Sequence, residues 1–452
     1  MLHTFHKGGV HPPQSKLTAA QPIIDIDLPR KVVVTFSQHI GAVAVCNLKK
    51  GDHVTRGQVI AHAAGFVSAN IHTPISGTVV KLDRCKTAFG HPADAVIIEA
   101  SDEEHQADLD AIESLSPLRD DDAAMSLAPE EIVKIIGDAG IVGLGGATFP
   151  TKVKLSPPPG TKAEILILNG VECEPYLTND HAIMLANADD IVRGIRLLMR
   201  AAKVDKAVVG IEANKPDAIH AMTRAASAYP AIEIMPLKVK YPEGSEKQLI
   251  EAVTGREVPS GGLPISVGAI VQNVATALAV SDAVRYGLPL MSRVITITGP
   301  SVKKPGNYRV PIGTDIRSLI DIAGGTPSDV GKIILGGPMM GKAAVSVDAP
   351  TTKGVSGILM LPAPMSRRRE PSPCVRCGAC VDACPMGLEP YLLATLSRFD
   401  RWDDCETNKV MNCVECGSCS YICPAARPLL DYIRLGKNKV GAAIKARGSK
   451  SK

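Results

Sequence analysis

Short apolar runs, separated by glycine turns, open the chain. The runs occupy residues 31–36, 42–45, 59–60 and 77–80. Apolar and polar side chains alternate within them, as in strands that bury one face. The pattern predicts a small all-β module over residues 25–101, preceded by an N-terminal arm of residues 1–24.

A helix-and-strand rhythm follows over residues 102–290. Acidic residues 101–127 come first, and we interpret them as a solvated linker with some helix. The pattern then predicts helices at 129–139, 188–202 and 216–226, and strands at 164–169 and 206–211. Such βαβ alternation predicts a parallel sheet covered by helices.

Two segments resemble known modules. Residues 50–58 and 73–79 are similar to the two halves of a biotinyl/lipoyl-type barrel-sandwich domain, but the hairpin at 65–70 has no lysine to modify. We therefore expect a scaffold. Residues 291–361 resemble a soluble-ligand-binding β-grasp domain, with a strand at 293–300, a Pro-Gly-x-Tyr turn and a helix that ends in Ala-Gly-Gly.

Composition narrows the class of protein. The chain has 452 residues, 45% hydrophobic and 21% charged, with a net charge of +4. These values are typical of a globular protein, and the charge is too small to indicate a nucleic-acid partner. We expect no transmembrane segment or signal peptide, and a reducing, cytosolic location. The basic residues 436–452 predict a solvated tail or, alternatively, an arm on anionic lipid.

Eight of the twelve cysteines lie in two copies of one motif, C-x-x-C-x-x-C-x-x-x-C-P, within residues 362–435. This spacing is typical of two 4Fe-4S clusters in which the fourth cysteine of each copy binds the other cluster. One expected ligand set is Cys374, Cys377, Cys380 and Cys423. The other is Cys384, Cys413, Cys416 and Cys419. We predict an α-helical, ferredoxin-like domain here.

Structural zinc and disulfides are weaker interpretations of these cysteines. Zinc closes with four ligands and rarely uses a three-plus-one pattern followed by proline. Disulfides are usual in small secreted domains. The other four thiols have no partner motif, and we interpret them as ordinary buried or idle thiols: Cys46, Cys85, Cys173 and Cys405.

A glycine cluster within residues 143–154 carries the second candidate chemistry. Glycines allow a ligand to approach the backbone closely, and a lysine can pair with phosphate. The candidates in this loop are Gly143, Gly145, Gly146, Phe149 and Lys154. Further candidates follow the predicted strand at 164–169, at the end where open parallel sheets bind ligands. They are Asn169, Glu172 and Glu174, and Asn273 lies in a later motif at residues 271–276.

Together these motifs resemble the flavin- and NADH-binding 51-kDa subunit of respiratory complex I. Four further stretches resemble, more specifically, the C subunit of the Rnf ion-translocating oxidoreductase. They are residues 7–13, 241–250, 254–264 and 352–358. The resemblance implies FMN contacts at the three loop glycines, Lys154, Asn169 and Asn273. It also implies that Phe149 stacks on the nicotinamide or adenine ring, with Glu172 and Glu174 near the nucleotide. Thr148 and Val171 depart from the usual complex I pattern.

The resemblance implies an electron relay from NADH through FMN to two 4Fe-4S clusters, or the reverse. Electrons would pass to the other subunits of a membrane complex, A, B, D, E and G, and indirectly to or from ferredoxin. The chain would then be peripheral, on the cytoplasmic face of the inner membrane. Two alternatives stay open: a diaphorase subunit of a soluble hydrogenase, and a two-cluster carrier or docking adaptor without flavin.

Overall fold

The computed structural model describes residues 2–450. Its first seven strands are β1 (Ile23–Asp25), β2 (Lys31–Thr35), β3 (His53–Val54), β4 (Val59–Ala61), β5 (Ile71–His72), β6 (Gly77–Lys86) and β7 (Pro92–Glu99). Antiparallel β2, β7, β6 and β3 form one sheet in that order, and β4 pairs with β5. Val34, Val54, Ile71 and Ile98 are fully buried within this module. The predicted all-β module is confirmed.

One predicted strand in this module is wrong. Residues 42–45 form a loop in which only Val45 makes a β-bridge, to His62. Val43 and Val45 are each 52% exposed, so this apolar run does not face a core. Strand β7 was not predicted, because its first half carries Pro92, alanines and Asp94, which hide the alternation.

The acidic stretch forms two helices, α1 (Asp102–Glu113) and α2 (Asp121–Ser126). Asp108 of α1 is 5% exposed, and its carboxylate accepts hydrogen bonds from Ser76 N at 2.6 Å and Ser76 Oγ at 2.7 Å. The two helices agree with the interpretation of a solvated linker with some helix, and the buried carboxylate additionally fastens α1 to the β-module.

The predicted parallel sheet is confirmed. Its strands are β8 (Ile165–Asn169), β9 (Ala207–Glu212), β10 (Ile232–Leu237) and β11 (Ala269–Asn273), in the order β10-β9-β8-β11 and all parallel. The helices of this region are α3 (Pro129–Asp138), α4 (Thr151–Lys154), α5 (Asn179–Ala186), α6 (Ala188–Ala202), α7 (Pro216–Ala226), α8 (Glu246–Thr254) and α9 (Val274–Tyr286). Strands β9 and β11 are buried along their whole length, as expected when helices cover both faces.

A six-stranded sheet follows, in the order β1-β13-β12-β16-β14-β15. Its new strands are β12 (Ser292–Thr298), β13 (Gly306–Pro311), β14 (Val330–Leu335), β15 (Lys342–Ala343) and β16 (Gly357–Pro362), with helix α10 (Ile316–Ile322). Helix α10 ends before Gly324 and Gly325, which both have positive φ. Strand β1 adds to this sheet in parallel with β13, although the two lie far apart in the sequence.

The N-terminal arm packs tightly on the parallel-sheet region. Phe5 is fully buried, and the ammonium of Lys240 lies 3.9 Å from its ring centre. The ammonium of Lys16 donates to the carbonyl oxygens of Glu172, Glu174 and Leu177, at 2.8, 2.9 and 2.7 Å. The arm thereby holds the loop after β8 in place. The arm then continues into β1.

Helices make up the C-terminal region. They are α11 (Ala363–Ser366), α12 (Ala379–Asp382), α13 (Pro390–Arg398), α14 (Trp402–Thr407), α15 (Ser418–Ile422) and α16 (Leu429–Lys450). Within the described chain, no helix has the length and apolar character that crossing a membrane requires.

The expected basic tail packs on the protein at its start and is exposed at residues 442–447, so the prediction of a solvated tail is wrong only for its first turn. Those residues belong to α16, where Val440 is 1% exposed. The ammonium of Lys437 donates to Cys413 O at 2.6 Å and to the Glu415 carboxylate at 3.0 Å. The start of the basic stretch is thus part of the cysteine-rich domain. Lys452 lies outside the described residues.

Candidate functional site

The glycine-rich loop lies between α3 and α4. Gly143 N donates to Phe149 O at 2.8 Å and closes the base of the loop. Leu144 N donates to Thr276 Oγ1 at 2.9 Å, which fastens the loop to the first turn of α9. Gly146 has a φ of +121°, and a Cβ added there would meet no atom within 4 Å. The tip of the loop therefore presents bare backbone, which a phosphate or a ring can approach closely.

Two asparagines end neighbouring strands beside this loop. Asn169 of β8 and Asn273 of β11 are paired in register, and Asn273 Nδ2 donates to Asn169 O at 3.3 Å and to Asp180 Oδ2 at 2.7 Å. A Cβ added to Gly145 would lie 3.5 Å from Asn273 Cβ. The fold thus brings the loop and both predicted asparagines to one edge of the sheet, and the absent glycine side chain keeps the space between them open.

Asp180 is a buried carboxylate at this edge that the sequence analysis missed. Burial raises its pKa and the charge of Glu172 raises it further, while the hydrogen bond from Asn273 and the charge of Arg293 oppose the increase. Its pKa lies above the usual range for aspartate. An acid in the first turn of a helix is common, so the sequence carried no signal that singled it out.

Lys154 lies near the other candidates but is already paired. Its ammonium donates to Glu246 Oε1 at 2.7 Å and to Val271 O at 3.0 Å, and its side chain is 26% exposed. Val271 lies two residues before Asn273 on β11. An incoming phosphate would compete with Glu246 for this ammonium, so Glu246 belongs to the candidate site. In the sequence, Glu246 was marked only by its position within residues 241–250, a stretch that resembles the Rnf family.

Glu172 and Glu174 already accept hydrogen bonds within the chain, and their expected position near the nucleotide stays a prediction. The Glu172 carboxylate accepts from Asp180 N at 2.7 Å and His181 N at 3.3 Å, which caps α5. The Glu174 carboxylate accepts from Met339 N at 3.0 Å and from the next amide at 2.8 Å. Burial raises the pKa of Glu174, and these two amides lower it. Both carboxylates are engaged within the chain, so the fold gives them a structural role.

The two cysteine motifs have the same local backbone. Arg376 and Glu415, which each precede the second cysteine of their motif, have φ of +55° and +59°. Gly378 and Gly417, which follow that cysteine, have φ of +78° and +81° and precede the short helices α12 and α15. Two left-handed residues around one cysteine tighten each loop, so that its thiols turn toward one side.

One group of thiols surrounds an interior cavity. The cavity contains about 360 Å³ of empty space, including its opening to solvent, and its walls include Cys384, Cys413, Cys416 and Cys419 with apolar residues such as Leu393 and Ile433. Cys416 and Cys419 are 7% and 8% exposed. In the described chain, no three His, Cys, Asp or Glu side chains converge as ligands of a single ion. These thiols enclose a volume, which is the arrangement that a cluster of several irons requires.

The other group lies at the surface. Cys374 and Cys377 are exposed, and Cys380 and Cys423 are partly buried. Burial raises the pKa of the Cys380 thiol, and the charges of Cys423 and Cys374 add to the increase, which places these three thiols together. Cys384 of the first motif thus lines the cavity with three cysteines of the second, and Cys423 of the second lies near Cys374 and Cys380 of the first. The division into two ligand sets stays a prediction.

Tyr241 joins the buried thiol group to the parallel-sheet region. It is 2% exposed, and its hydroxyl donates to Cys416 O at 2.8 Å and lies 3.3 Å from Glu174 Oε1. Cys173 packs in the same apolar contact. Burial raises the pKa of the Cys173 thiol far above its usual value, so it agrees with the interpretation of an ordinary buried thiol. No signal in the sequence indicated that Tyr241 contacts a cysteine motif.

Comparison with known proteins assigns the chain to a family. It is 47% identical over 446 residues to the C subunit of the proton-translocating ferredoxin:NAD(+) oxidoreductase complex of Clostridium ljungdahlii, covering 98% of this chain and 95% of the relative. It is 44% identical to the C subunit of the Na(+)-translocating ferredoxin:NAD(+) oxidoreductase complex of Acetobacterium woodii, covering 97% of each. The chain belongs to the RnfC family.

Family models agree with the architecture of this RnfC family member. Residues 3–104 match the RnfC barrel-sandwich hybrid domain, 136–282 the Nuo51 FMN-binding domain, 294–343 the SLBB domain and 371–387 a 4Fe-4S binding domain. A solved NAD+-reducing [NiFe]-hydrogenase in its H2-reduced state shares the fold, with a TM-score of 0.51 and 20% identity over 74% of this chain and 66% of that one.

The FMN-binding match contains every residue of the candidate flavin cleft described above, from the loop glycines to Asn273. The loop fits the cofactor, because its backbone at Gly146 is unobstructed and lies beside the ends of two parallel strands. The side-chain amides of Asn169 and Asn273 already donate within the chain, and a bound cofactor would compete for them. The cavity among four thiols likewise fits an iron-sulfur cluster.

Proposed function

We propose that this chain is the NAD(H)-linked electron-transfer subunit of an ion-translocating ferredoxin:NAD+ oxidoreductase complex. The observation that carries the proposal is the presence, in one chain, of an exposed glycine-rich loop beside the ends of two parallel strands and of two cysteine motifs, one of which adjoins the parallel-sheet region. The near full-length identity to the C subunits of two such complexes supports it.

In this proposal the chain's own residues bind and orient the cofactors. The loop backbone at Gly143, Gly145 and Gly146 approaches the flavin phosphate and ribityl chain, with Asn169 and Asn273 at the strand ends. Bound FMN and 4Fe-4S clusters supply the exchange between two-electron and one-electron transfer. Phe149, half-buried at the end of the loop, borders the nicotinamide side.

The positions of the thiols give the two groups different tasks. The buried group, with Cys416 beside Tyr241, holds the cluster nearer to the flavin region. The exposed group, with Cys374 and Cys377 at the surface, holds the cluster that exchanges electrons with a partner. The pairing of ligands follows the two sets predicted from the motif spacing.

The partners in this proposal are the other subunits of an Rnf-type complex, A, B, D, E and G, with ferredoxin as an indirect partner. The chain is peripheral and lies on the cytoplasmic face of the inner membrane. Electrons move from NADH toward these subunits or in the reverse direction, depending on the potentials on either side.

Lys154→Ala tests the flavin cleft. Because it removes the ammonium nearest to Asn273 on β11, we expect FMN to bind about tenfold more weakly, with iron content unchanged. Fluorescence titration of the flavin-free protein with FMN measures the affinity, and iron analysis measures the iron content. Lys152→Ala, an exposed lysine on the same helix, is the matched control.

Two results would contradict this assignment. Equal loss of flavin and iron in Lys154→Ala would show that the lysine supports the fold in general. Wild-type protein that binds iron but no FMN, and that shows no NADH-dependent dye reduction, would instead favour the two-cluster carrier without flavin.

A further inference from the structure

A second cavity lies behind the glycine-rich loop, where three regions meet. It contains about 690 Å³ of empty space, including its open mouth. Arg56 of the β-module, α9 of the parallel-sheet region and residues 288–294 at the start of the β-grasp region form its walls. Thr276 of α9 contacts the glycine-rich loop, whereas Ala275, Ala279 and Asp282 of the same helix face this cavity.

The walls carry an excess of positive charge. Arg56, Arg293 and Arg309 line the cavity, and Asp282 is the one acidic residue among its described walls. Arg309 is paired with Asp25 at 2.7 Å, so Arg56 and Arg293 carry most of the excess. Burial and the charge of Asp190 raise the pKa of Asp282 to about 7, although the charges of Arg309 and Arg285 lower it, so its charge is incomplete at neutral pH. Burial lowers the pKa of Arg293 to about 10, which leaves it charged. The cavity therefore favours an anion.

Two of these arginines have unused hydrogen-bond donors. Arg293 is 5% exposed, and its terminal nitrogens donate to the carbonyl oxygens of Lys353 and Leu144. The Nε–H groups of Arg293 and Arg56 are shielded from solvent and have no acceptor among the described residues. A buried donor without an acceptor is destabilising. An oxyanion in the cavity would supply the missing acceptors.

The opposite wall is apolar. Ile183, Leu278, Leu290 and Met291 line it, and Ile183, Leu278 and Leu290 are at most 7% exposed. Ligand sites commonly combine such a wall with a few charged groups that fix orientation. This wall has room for an apolar body larger than that of an inorganic ion.

We propose that this cavity binds a small organic anion, whose carboxylate or phosphate oxygens accept hydrogen bonds from Arg56 and Arg293 while its apolar body packs on Leu278 and Met291. The site is separate from the flavin cleft but contacts it, because Arg293 Nη2 donates to Leu144 O in the glycine-rich loop at 3.2 Å. Neither the family models nor the names of the relatives assign a ligand here.

Isothermal titration of the full chain, loaded with FMN and iron, tests the proposal at constant ionic strength. The probes are phenyl phosphate, benzoate, inorganic phosphate and benzyl alcohol. We expect one of the two aromatic anions to bind more tightly than inorganic phosphate, and benzyl alcohol not to bind. Comparing the affinities for phenyl phosphate and benzoate distinguishes a phosphate site from a carboxylate site.

Arg56→Gln should weaken binding of the preferred aromatic anion about tenfold, because it removes one charge-assisted donor. Arg84→Gln, an exposed arginine of the same β-module, is the matched control and should leave binding unchanged. Ala279→Leu fills the cavity and should abolish binding, with a melting curve to verify the fold. Equal binding by wild type and Arg56→Gln, equal binding of benzyl alcohol, or no binding of either aromatic anion would overturn the proposal.

Discussion

The two cysteine groups share a motif and a backbone conformation but lie in different surroundings. Cys416 and Cys419 are shielded in the interior, whereas Cys374 and Cys377 are exposed. The difference arises outside the motifs, since Tyr241 and α16 cover one group, while the described residues leave the outer thiols of the other group uncovered. One ligand pattern therefore serves two roles, and the surrounding fold decides which.

The largest expected effect comes from the buried group. Cys419→Ser should reduce iron from about eight to about four atoms per chain. It should also lower the thermal unfolding midpoint by about 5 °C or more, because a cavity lined by Leu393 and Ile433 loses its occupant. Iron analysis and calorimetry measure both effects. Cys405→Ser, at a fully buried thiol outside the motif, is the control and should keep all the iron.

In the exposed group, Cys377→Ser should remove as much iron as Cys419→Ser, about four atoms per chain, with little change in the thermal unfolding midpoint. The reason is that this thiol is exposed and its loss opens no interior cavity. Paramagnetic resonance should still detect one reduced cluster. Loss of both clusters, or a fall in stability equal to that of Cys419→Ser, would remove the distinction between the groups.

Oxidation with ferricyanide in the presence of a chelator should bleach the wild-type protein in two phases of similar amplitude. The exposed cluster should be lost first, because reagents reach Cys374 and Cys377 directly. Absorbance followed over time gives the phases, and Cys377→Ser should show only the slow one. A single phase in the wild type would mean that both groups are equally accessible.

The smallest effect is expected from Tyr241→Phe. It removes a hydrogen bond to Cys416 O, and loss of about 0.5–1.5 kcal/mol corresponds to a shift of roughly 20–60 mV for a one-electron couple. The potential of the buried cluster should become more negative, since a dipole that favours the reduced form is lost. Redox titration should leave the exposed cluster unchanged. Tyr432→Phe, in the same domain, is a control.

Much of the fold followed from local patterns. The helix at Pro216–Ala226 and the strands β8 and β9 lie within one residue of their predicted bounds. Their apolar runs and amphipathic helices carry the signal within a few residues. Residues 42–45 show the limit of this reasoning, because an apolar run does not indicate whether a neighbour will cover it.

Distant contacts account for the errors at the ends of the chain. Strand β1 pairs with β13, and the basic residues at the start of the expected tail pack on the cysteine domain through Lys437. The charge of residues 436–452 indicated solvent, but carbonyl groups freed by the tight cysteine loops accept from that lysine. Periodicity and composition contain no information on such pairings.

At the candidate sites too, the sequence indicated the type of chemistry, and the tertiary structure decided which residues contact one another. Residue types and spacing alone indicated four-plus-four thiolates, a glycine-rich loop and strand-end asparagines, because ligand identity and loop tightness are local properties. Only the tertiary structure showed that the carboxylates of Glu172 and Glu174 accept hydrogen bonds from backbone amides. It also showed the ion pair between Glu246 and Lys154, and the hydrogen bond from Tyr241 to Cys416 O. Burial and hydrogen-bond partners depend on residues far apart in the chain, and packing brings them together.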